Sequence, residues 1–376
     1  MKSITSSKIW LSSPHMGGTE EKYVQEAFDT NWVAPLGPNV NNFEKAIAEY
    51  IDDDVYVAAL SSGTAAIHLA LELLEVSKGD EVICQSFTFS ASANPILYLG
   101  ATPIFVDSEK DTWNMSPELL EEAIENRLKN GKKPKAIIAV HLYGMPYKVN
   151  ELSEISNKYN IPIVEDSAEA LGSSFRENKC GAFGDIGVYS FNGNKIITTS
   201  GGGALVTRNE ELKKRAVFLA TQARDDAPHY QHSYVGYNYR LSNVLAGIGR
   251  GQMEVLNDRV KARRANYDFY FKNLGGSNKI EFLQEPDGYY SNRWLTCVLT
   301  SSFEKREEIR LALLEQDIES RPLWKPMHLQ PLFEGYPNFS NGTSENLFER
   351  GLCLPSGSNL RTEDLVRIIE IIRTKI

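Results

Sequence analysis

Three short stretches of this chain carry residues whose types and spacing could do chemistry. The first is Ile161-Pro-Ile-Val-Glu-Asp-Ser-Ala-Glu169, a buried-type strand that ends on Asp166. A carboxylate at such a place is costly unless it meets a cation or a hydrogen-bond donor. A protonated pyridine nitrogen is one partner of that kind, and a helix N-cap role is the other reading of Asp166. The second stretch runs from Gly184 to Gly203 and holds Lys195 between a predicted strand and a glycine-rich turn, with Ser190 before it and Thr198 and Thr199 after. A lysine desolvated in such a pocket can lose its proton and condense with an aldehyde, whereas a solvated loop lysine would do nothing. The third is Ser61-Ser-Gly-Thr-Ala-Ala66, where a strand turns through Gly63 and Thr64 into a helix. Free backbone N–H groups and the positive end of the helix dipole make such a start a phosphate cradle. Phe89, just past another strand, could stack on a flat ring or serve as core.

The elements that must position these groups follow from the pattern of apolar runs. Strands are expected at 55–60, 81–84, 102–106, 136–141, 161–165, 186–191 and 203–207. Helices are expected at 64–74, 91–99, 117–128 and 149–159, with Ser116 as N-cap and Pro117 at the first helical position. This alternation predicts an α/β fold, a mostly parallel sheet flanked by helices, in which ligands bind past the carboxyl ends of the strands. After Glu210 the pattern reads as helical to about Leu274. A strand near 294–299, a helix at 304–316, a short run at 318–321 and a last helix at 363–373 then suggest a smaller C-terminal α+β domain. The expected division is residues 1–250 and 251–376.

Composition narrows the class. The 376 residues are 42% hydrophobic and 24% charged, enough for a large core, and the net charge of −9 argues against a nucleic-acid-coating surface. Cys84, Cys180, Cys297 and Cys353 are too widely spaced for a disulfide scaffold or a thiolate metal site, so no metal is expected. Met1 to Pro14 is too polar for a secretory leader, and no apolar run approaches the roughly 20 residues of a membrane span. A cytoplasmic protein without a membrane partner is the expectation. The glycines at 181, 184 and 187 lack the G-x-G-x-x-G order of a dinucleotide site, and no P-loop is present. Four strand ends in one sheet thus each deliver a group that a phosphorylated pyridine aldehyde requires.

Over nearly its whole length the sequence resembles the DegT/DnrJ/EryC1/StrS sugar aminotransferases, which have the fold type I of pyridoxal 5'-phosphate enzymes. The likeness rests on Ser62-Gly-Thr-Ala-Ala66, Glu165-Asp-Ser-Ala-Glu169, Ser190-Phe-Asn-Gly-Asn-Lys195 and Gly236-Tyr-Asn-Tyr-Arg240. A narrower likeness, to transaminases making UDP-4-amino-4,6-dideoxy-N-acetylglucosamine, rests on Asn31–Gly37, Ser291–Leu295 and Arg321–His328. The resemblance implies that Lys195 carries the cofactor and that Asp166 meets its ring nitrogen. It implies that Gly63, Thr64 and Ser190 hold the phosphate and that Phe89 stacks on the ring. Glu169 stands among the cofactor contacts, at a position where many members have glutamine. Asn238 matches an asparagine that reaches the phosphate from the other subunit, which implies a homodimer with shared active sites. His328 matches a histidine near the sugar, with a hydrogen-bonded loop histidine as its other reading, and Arg240, Lys325 or a residue of Asn31–Gly37 are candidate donors to the diphosphate. The implied reaction moves an amino group from L-glutamate to C4 of a UDP-linked 4-keto-6-deoxy-N-acetylhexosamine. A 3-aminosugar transaminase, a dehydratase and a non-catalytic binding protein of the same fold are the alternatives. Lys195 stands where dehydratases carry histidine, which favours transamination.

Overall fold

Seven apolar runs between residues 54 and 208, joined at one edge by Asn338–Phe339, assemble into one eight-stranded sheet. The structure is a computed structural model describing residues 8–52, 54–276 and 279–376; the first half of the polar N-terminal segment lies outside these. Across the sheet the order is Tyr56–Leu60, Gly203–Thr207, Ile186–Ser190, Ile163–Asp166, Ala136–Val140, Glu81–Gln85, Thr102–Val106 and Asn338–Phe339. Every neighbouring pair is parallel except the two made by Gly203–Thr207, which runs against both of its neighbours. The middle strands are buried from end to end, the signature of a parallel sheet covered on both faces. Their residues alternate between two apolar layers. Ala136 and Ile138 join Ile67 and Leu71 on one face, while Ile137 and Ile83 join Leu120 and Leu152 on the other.

Local chemistry explains where the helices start. Ser62 caps Gly63–Leu73 by accepting from the Ala65 N–H at 3.0 Å, and Ser116 caps Pro117–Lys129 through the Leu119 N–H. A side-chain cap of this kind contributes about 1 kcal/mol and fixes the entry point of the chain.

The expectation of continuous helix from Glu210 to Leu274 is corrected. Helix Glu210–Ala220 stops where Gln222 and Ala223 take positive φ. Residues 221–242 then form an irregular excursion, pinned by isolated bridges between Thr221 and Asn238 and between Arg224 and His232. Pro228 lacks the N–H a helix needs, and the excursion keeps Tyr230, Tyr234 and Val235 exposed, Tyr230 at 80%. Helices Asn243–Glu254 and Leu256–Leu274 follow.

The C-terminal unit is a four-stranded antiparallel sheet, ordered Ile280–Phe282, Thr296–Thr300, Gly351–Leu354, Arg321–Pro322. Tyr270, Ile309 and Ile368 tie three helices to it. The expected boundary at residue 250 falls inside helix Asn243–Glu254; the helices break at Val255 instead. The two units also exchange segments: Asn338–Phe339 returns to the edge of the large sheet, and Ile9 bridges to Ile318. Helices Glu20–Asp29 and Pro38–Ile51, for which the sequence raised no expectation, pack on Asn243–Glu254. No helix among the described residues is long and apolar enough to cross a membrane.

Candidate active site

Strand parity decides which carboxylate reaches the cavity at the carboxyl edge of the sheet. Asp166 and Glu165 are consecutive in Ile163–Asp166 and therefore face opposite sides. Asp166 lines the cavity together with the start of helix Gly63–Leu73. Its Oδ2 accepts from the Ser92 hydroxyl at 2.6 Å and its Oδ1 from the Ala168 N–H at 3.1 Å. Ser92 in turn shares a 2.8 Å hydrogen bond with Thr88, so the carboxylate has a fixed orientation.

Glu165 is buried on the far side beside His141 and Cys180, a trio close enough to suggest a metal site. Its oxygens are already taken. They accept from His141 Nε2 at 2.7 Å and from the N–H groups of Gly181, Phe183 and Gly184 at 2.5, 2.7 and 2.9 Å. Burial alone would push this carboxyl upward, but those hydrogen bonds hold it below the usual glutamate value.

Lys195 sits in the turn between Ile186–Ser190 and Gly203–Thr207 and points into the same cavity. Its Nζ lies 3.6 Å from Glu169 Oε1 and 4.3 Å from the centre of the Trp294 ring, and its side chain is only 12% exposed. Glu169 is buried, and its Oε2 accepts from the Tyr143 N–H at 2.6 Å. Burial pushes the Glu169 carboxyl above its ordinary value, and the opposing pull of Lys195 does not cancel this. Among the described lining residues Lys195 is the one cation, facing two carboxylates.

The third component is the phosphate cradle. The first turn of helix Gly63–Leu73 leaves the N–H groups of Gly63 and Thr64 without intrahelical acceptors. Ser190 stands beside them so closely that a Cβ on Gly63 would come within 2.9 Å of Ser190 Cβ. Glycine is required here by approach, not by backbone angle. Phe89, half exposed, stands at the rim with its ring 5.3 Å from that of Trp324. A carboxylate at one wall, an amine at another and unpaired donors at a helix start fit pyridoxal phosphate. They answer its ring nitrogen, its aldehyde and its dianion in turn.

The structure brings together Gly63, Thr64, Phe89, Asp166, Glu169, Ser190 and Lys195. Four other expected residues stand apart. Arg240 makes an ion pair with Glu44 and donates to the Ala59 carbonyl at 2.9 Å, so its guanidinium is committed to holding the strand Tyr56–Leu60 against helix Pro38–Ile51. Its candidacy as a diphosphate donor is corrected on that ground. His328 has both ring nitrogens engaged, Nδ1 with Ser86 Oγ at 2.6 Å and Nε2 with Glu345 at 3.2 Å, and is not in the cavity wall. Lys325 is likewise outside the wall, although its neighbour Trp324 is in it. Asn238 is exposed on the excursion 221–242 and does not reach its own chain's cavity. Sequence reasoning passed over Ser92, Trp294 and Trp324. Ser92 carried no signal, being one small polar residue among several. The two tryptophans lay inside phrases already singled out and could have been picked as the large flat groups there.

The chain is similar to known proteins over nearly its whole length. Residues 14–373 match the sequence pattern of the DegT/DnrJ/EryC1/StrS aminotransferase family. EpsN of Bacillus subtilis (strain 168), whose name proposes a pyridoxal phosphate-dependent aminotransferase, is 52% identical over 97% of this chain and 95% of its own. GDP-perosamine synthase of Escherichia coli O157:H7 is 39% identical over 97% of each chain. Spr1654 of Streptococcus pneumoniae, provisionally named a sugar aminotransferase and solved in its PLP form, superposes with a TM-score of 0.90. It is 28% identical over 98% of both chains.

Proposed function

We propose, from the premise that this chain belongs to the DegT/DnrJ/EryC1/StrS aminotransferase family and is a pyridoxal-phosphate-dependent sugar aminotransferase, that it aminates C4 of a UDP-linked 4-keto-6-deoxy-N-acetylhexosamine with L-glutamate as donor. The observation that carries this reading is the position of Trp294 and Trp324. Two of the three phrases behind the narrower likeness each contribute one of these rings to the cavity wall. An aromatic wall suits a sugar whose C6 is a methyl group, which packs on the ring faces and needs no hydrogen bond there.

When bound, pyridoxal phosphate supplies an aldehyde that captures amines and a ring that takes up an electron pair. The chain's own residues do the rest. The N–H groups of Gly63 and Thr64 and the hydroxyls of Thr64 and Ser190 hold the phosphate. Asp166, oriented by Ser92, keeps a proton on the ring nitrogen. Lys195, once its amine is released, takes the proton from the α-carbon of the donor as general base and delivers it as general acid. Trp294 keeps water from the amine while that transfer occurs.

The dimer belongs to the same reading. The cavity of one chain is short of positive charge for a phosphate and a sugar diphosphate, and the excursion 221–242 exposes aromatic side chains together with Asn238. Such a surface is the usual mark of a partner contact, and the second copy would bring Asn238 to the phosphate. Mixing inactive Lys195→Ala and Asn238→Ala proteins should then restore some working sites, because a hybrid dimer holds one cavity with neither change.

The deciding experiment offers L-glutamate with UDP-linked and GDP-linked 4-keto-6-deoxy sugars and a UDP-linked 3-keto sugar, then locates the new amine by NMR. The 39% relative that is a GDP-perosamine synthase gives the GDP-linked sugar a specific claim as the second reading. Turnover confined to the GDP sugar would replace the nucleotide assignment. An amine at C3 would replace the position, and loss of water without an amine would indicate a dehydratase.

A further inference from the structure

Arg263, on helix Leu256–Leu274, is 1% exposed and has no carboxylate partner among the described residues. An uncompensated buried cation costs several kcal/mol, so what its five N–H donors hold is informative. Nη1 donates to the Trp294 carbonyl at 2.5 Å. Nη2 donates to the Ser12 hydroxyl at 2.9 Å and, more weakly, to the Lys195 carbonyl at 3.4 Å. The Ser12 hydroxyl passes this on by donating to the Asn194 carbonyl at 2.7 Å, which also accepts from the indole N–H of Trp294 at 2.7 Å. Burial and the neighbouring Arg259 push the guanidinium down to about 9, which still leaves it charged at neutral pH.

The flanks of the turn are anchored by buried Phe191, Ile197 and Thr199, but among the described residues the backbone of 192–195 bonds beyond its own turn only at the Asn194 and Lys195 carbonyls. Lys195 N–H reaches only back to Asn192, and residues 191–200 form no regular element. Three segments distant in sequence therefore meet on one guanidinium: the N-terminal segment at Ser12, the lysine turn, and the segment whose indole lies 4.3 Å from the lysine Nζ. We propose that Arg263 is a positioning residue that sets the reach of Lys195, fixing both the backbone from which the amine projects and the indole face on which it rests. The inference rests on Lys195 being the cofactor lysine and is independent of the sugar.

Two cofactor forms separate positioning from simple structure. Pyridoxal phosphate must be captured by the Lys195 amine, whereas pyridoxamine phosphate has no aldehyde and needs only the cradle and Asp166. Apoprotein is mixed with each, capture being followed by visible absorbance and by borohydride fixation with peptide mass analysis, and pyridoxamine phosphate binding by tryptophan fluorescence. For Arg263→Gln, capture should slow by about tenfold or more while pyridoxamine phosphate affinity stays within about threefold, as expected when charge-assisted hydrogen bonds to one turn are lost. Ser12→Ala removes the hydroxyl that accepts from Arg263 Nη2 and relays to Asn194 while leaving the bonds of Arg263 to Trp294 and Lys195, and should slow capture by about two- to fivefold. Arg263→Lys, which keeps the charge but not the fork, should fall between. Capture at the wild-type rate in Arg263→Gln would overturn the proposal. So would equal loss of both cofactor forms in Arg263→Gln with Ser12→Ala unaffected, since that is the pattern of a structural role alone. Fixation of cofactor in Lys195→Ala protein would instead remove the lysine assignment, and this inference with it.

Discussion

Replacing Glu169 by glutamine alters one charge at nearly constant volume, and the structure predicts an unusual pH dependence. At 3.6 Å, the attraction between Glu169 and Lys195 is about 5 kcal/mol at an effective dielectric of ~20. Taking each ion out of water costs several kcal/mol. The net outcome is visible in the direction of the carboxyl: it is raised above 4.5, with burial the largest cause. The folded state therefore binds the Glu169 proton more tightly than the unfolded state does. Below pH 4.5 the carboxyl is neutral in both states and wild type and Glu169→Gln should be alike in this respect. As pH climbs past 4.5 the unfolded chain ionises first, so wild type loses stability relative to the variant until the folded carboxyl has also ionised, after which the gap is constant. The gap has that sign and is read as the Tm of Glu169→Gln minus that of wild type, which should widen as pH rises from 4 to 8. Thermal unfolding of cofactor-free protein at half-unit steps from pH 4 to 8 reads it directly. A gap that does not change with pH, or that favours wild type as pH rises, would refute the claim that burial dominates at Glu169.

Three further substitutions probe the site and the framework behind it. Gly63→Ala places a methyl 2.9 Å from Ser190 Cβ, and overpacking of about 1–3 kcal/mol at the cradle should weaken pyridoxal phosphate binding by about 5- to 150-fold in a fluorescence titration. Ser92→Ala removes the 2.6 Å hydrogen bond to Asp166; with one charge-assisted bond gone, cofactor affinity should fall by about tenfold while the melting curve of the apoprotein moves little. Arg240→Ala leaves Glu44 buried without its cation and should cost about 3 kcal/mol in denaturant unfolding. The KM for the sugar should stay unchanged, whereas a rise in KM without loss of stability would return Arg240 to the substrate.

How much of this was legible in the sequence depended on whether a residue's role is set by its own segment. Asp166, Lys195 and the Gly63–Thr64 turn could be read because each follows a strand whose apolar run is unmistakable, and strand ends in such a sheet converge. The excursion 221–242 was misread as helix because its tyrosines and valine look apolar in any period. Their exposure follows from the irregular path of residues 221–242, which no local periodicity reports. Arg240 and His328 were overread for the complementary reason. Nothing in the sequence showed that Glu44 would take the one and that Ser86 and Glu345 would take the other.

Three acidic residues within five positions, Glu165, Asp166 and Glu169, show where local reading stops and the fold decides. All three are buried, yet each is in a different electrostatic situation. Glu165 is held low by a ring of N–H donors on the far face. Glu169 is pushed up beside the amine. Asp166 receives one hydroxyl and one N–H while still lining the cavity. A one-residue slip of this strand would exchange the faces of Glu165 and Asp166, setting a carboxylate without its donors against the cavity and burying another in the wrong layer. The register is kept by Ile163 and Val164, which belong to opposite apolar layers, so the ordinary packing of two aliphatic side chains determines which acid can meet a pyridine nitrogen.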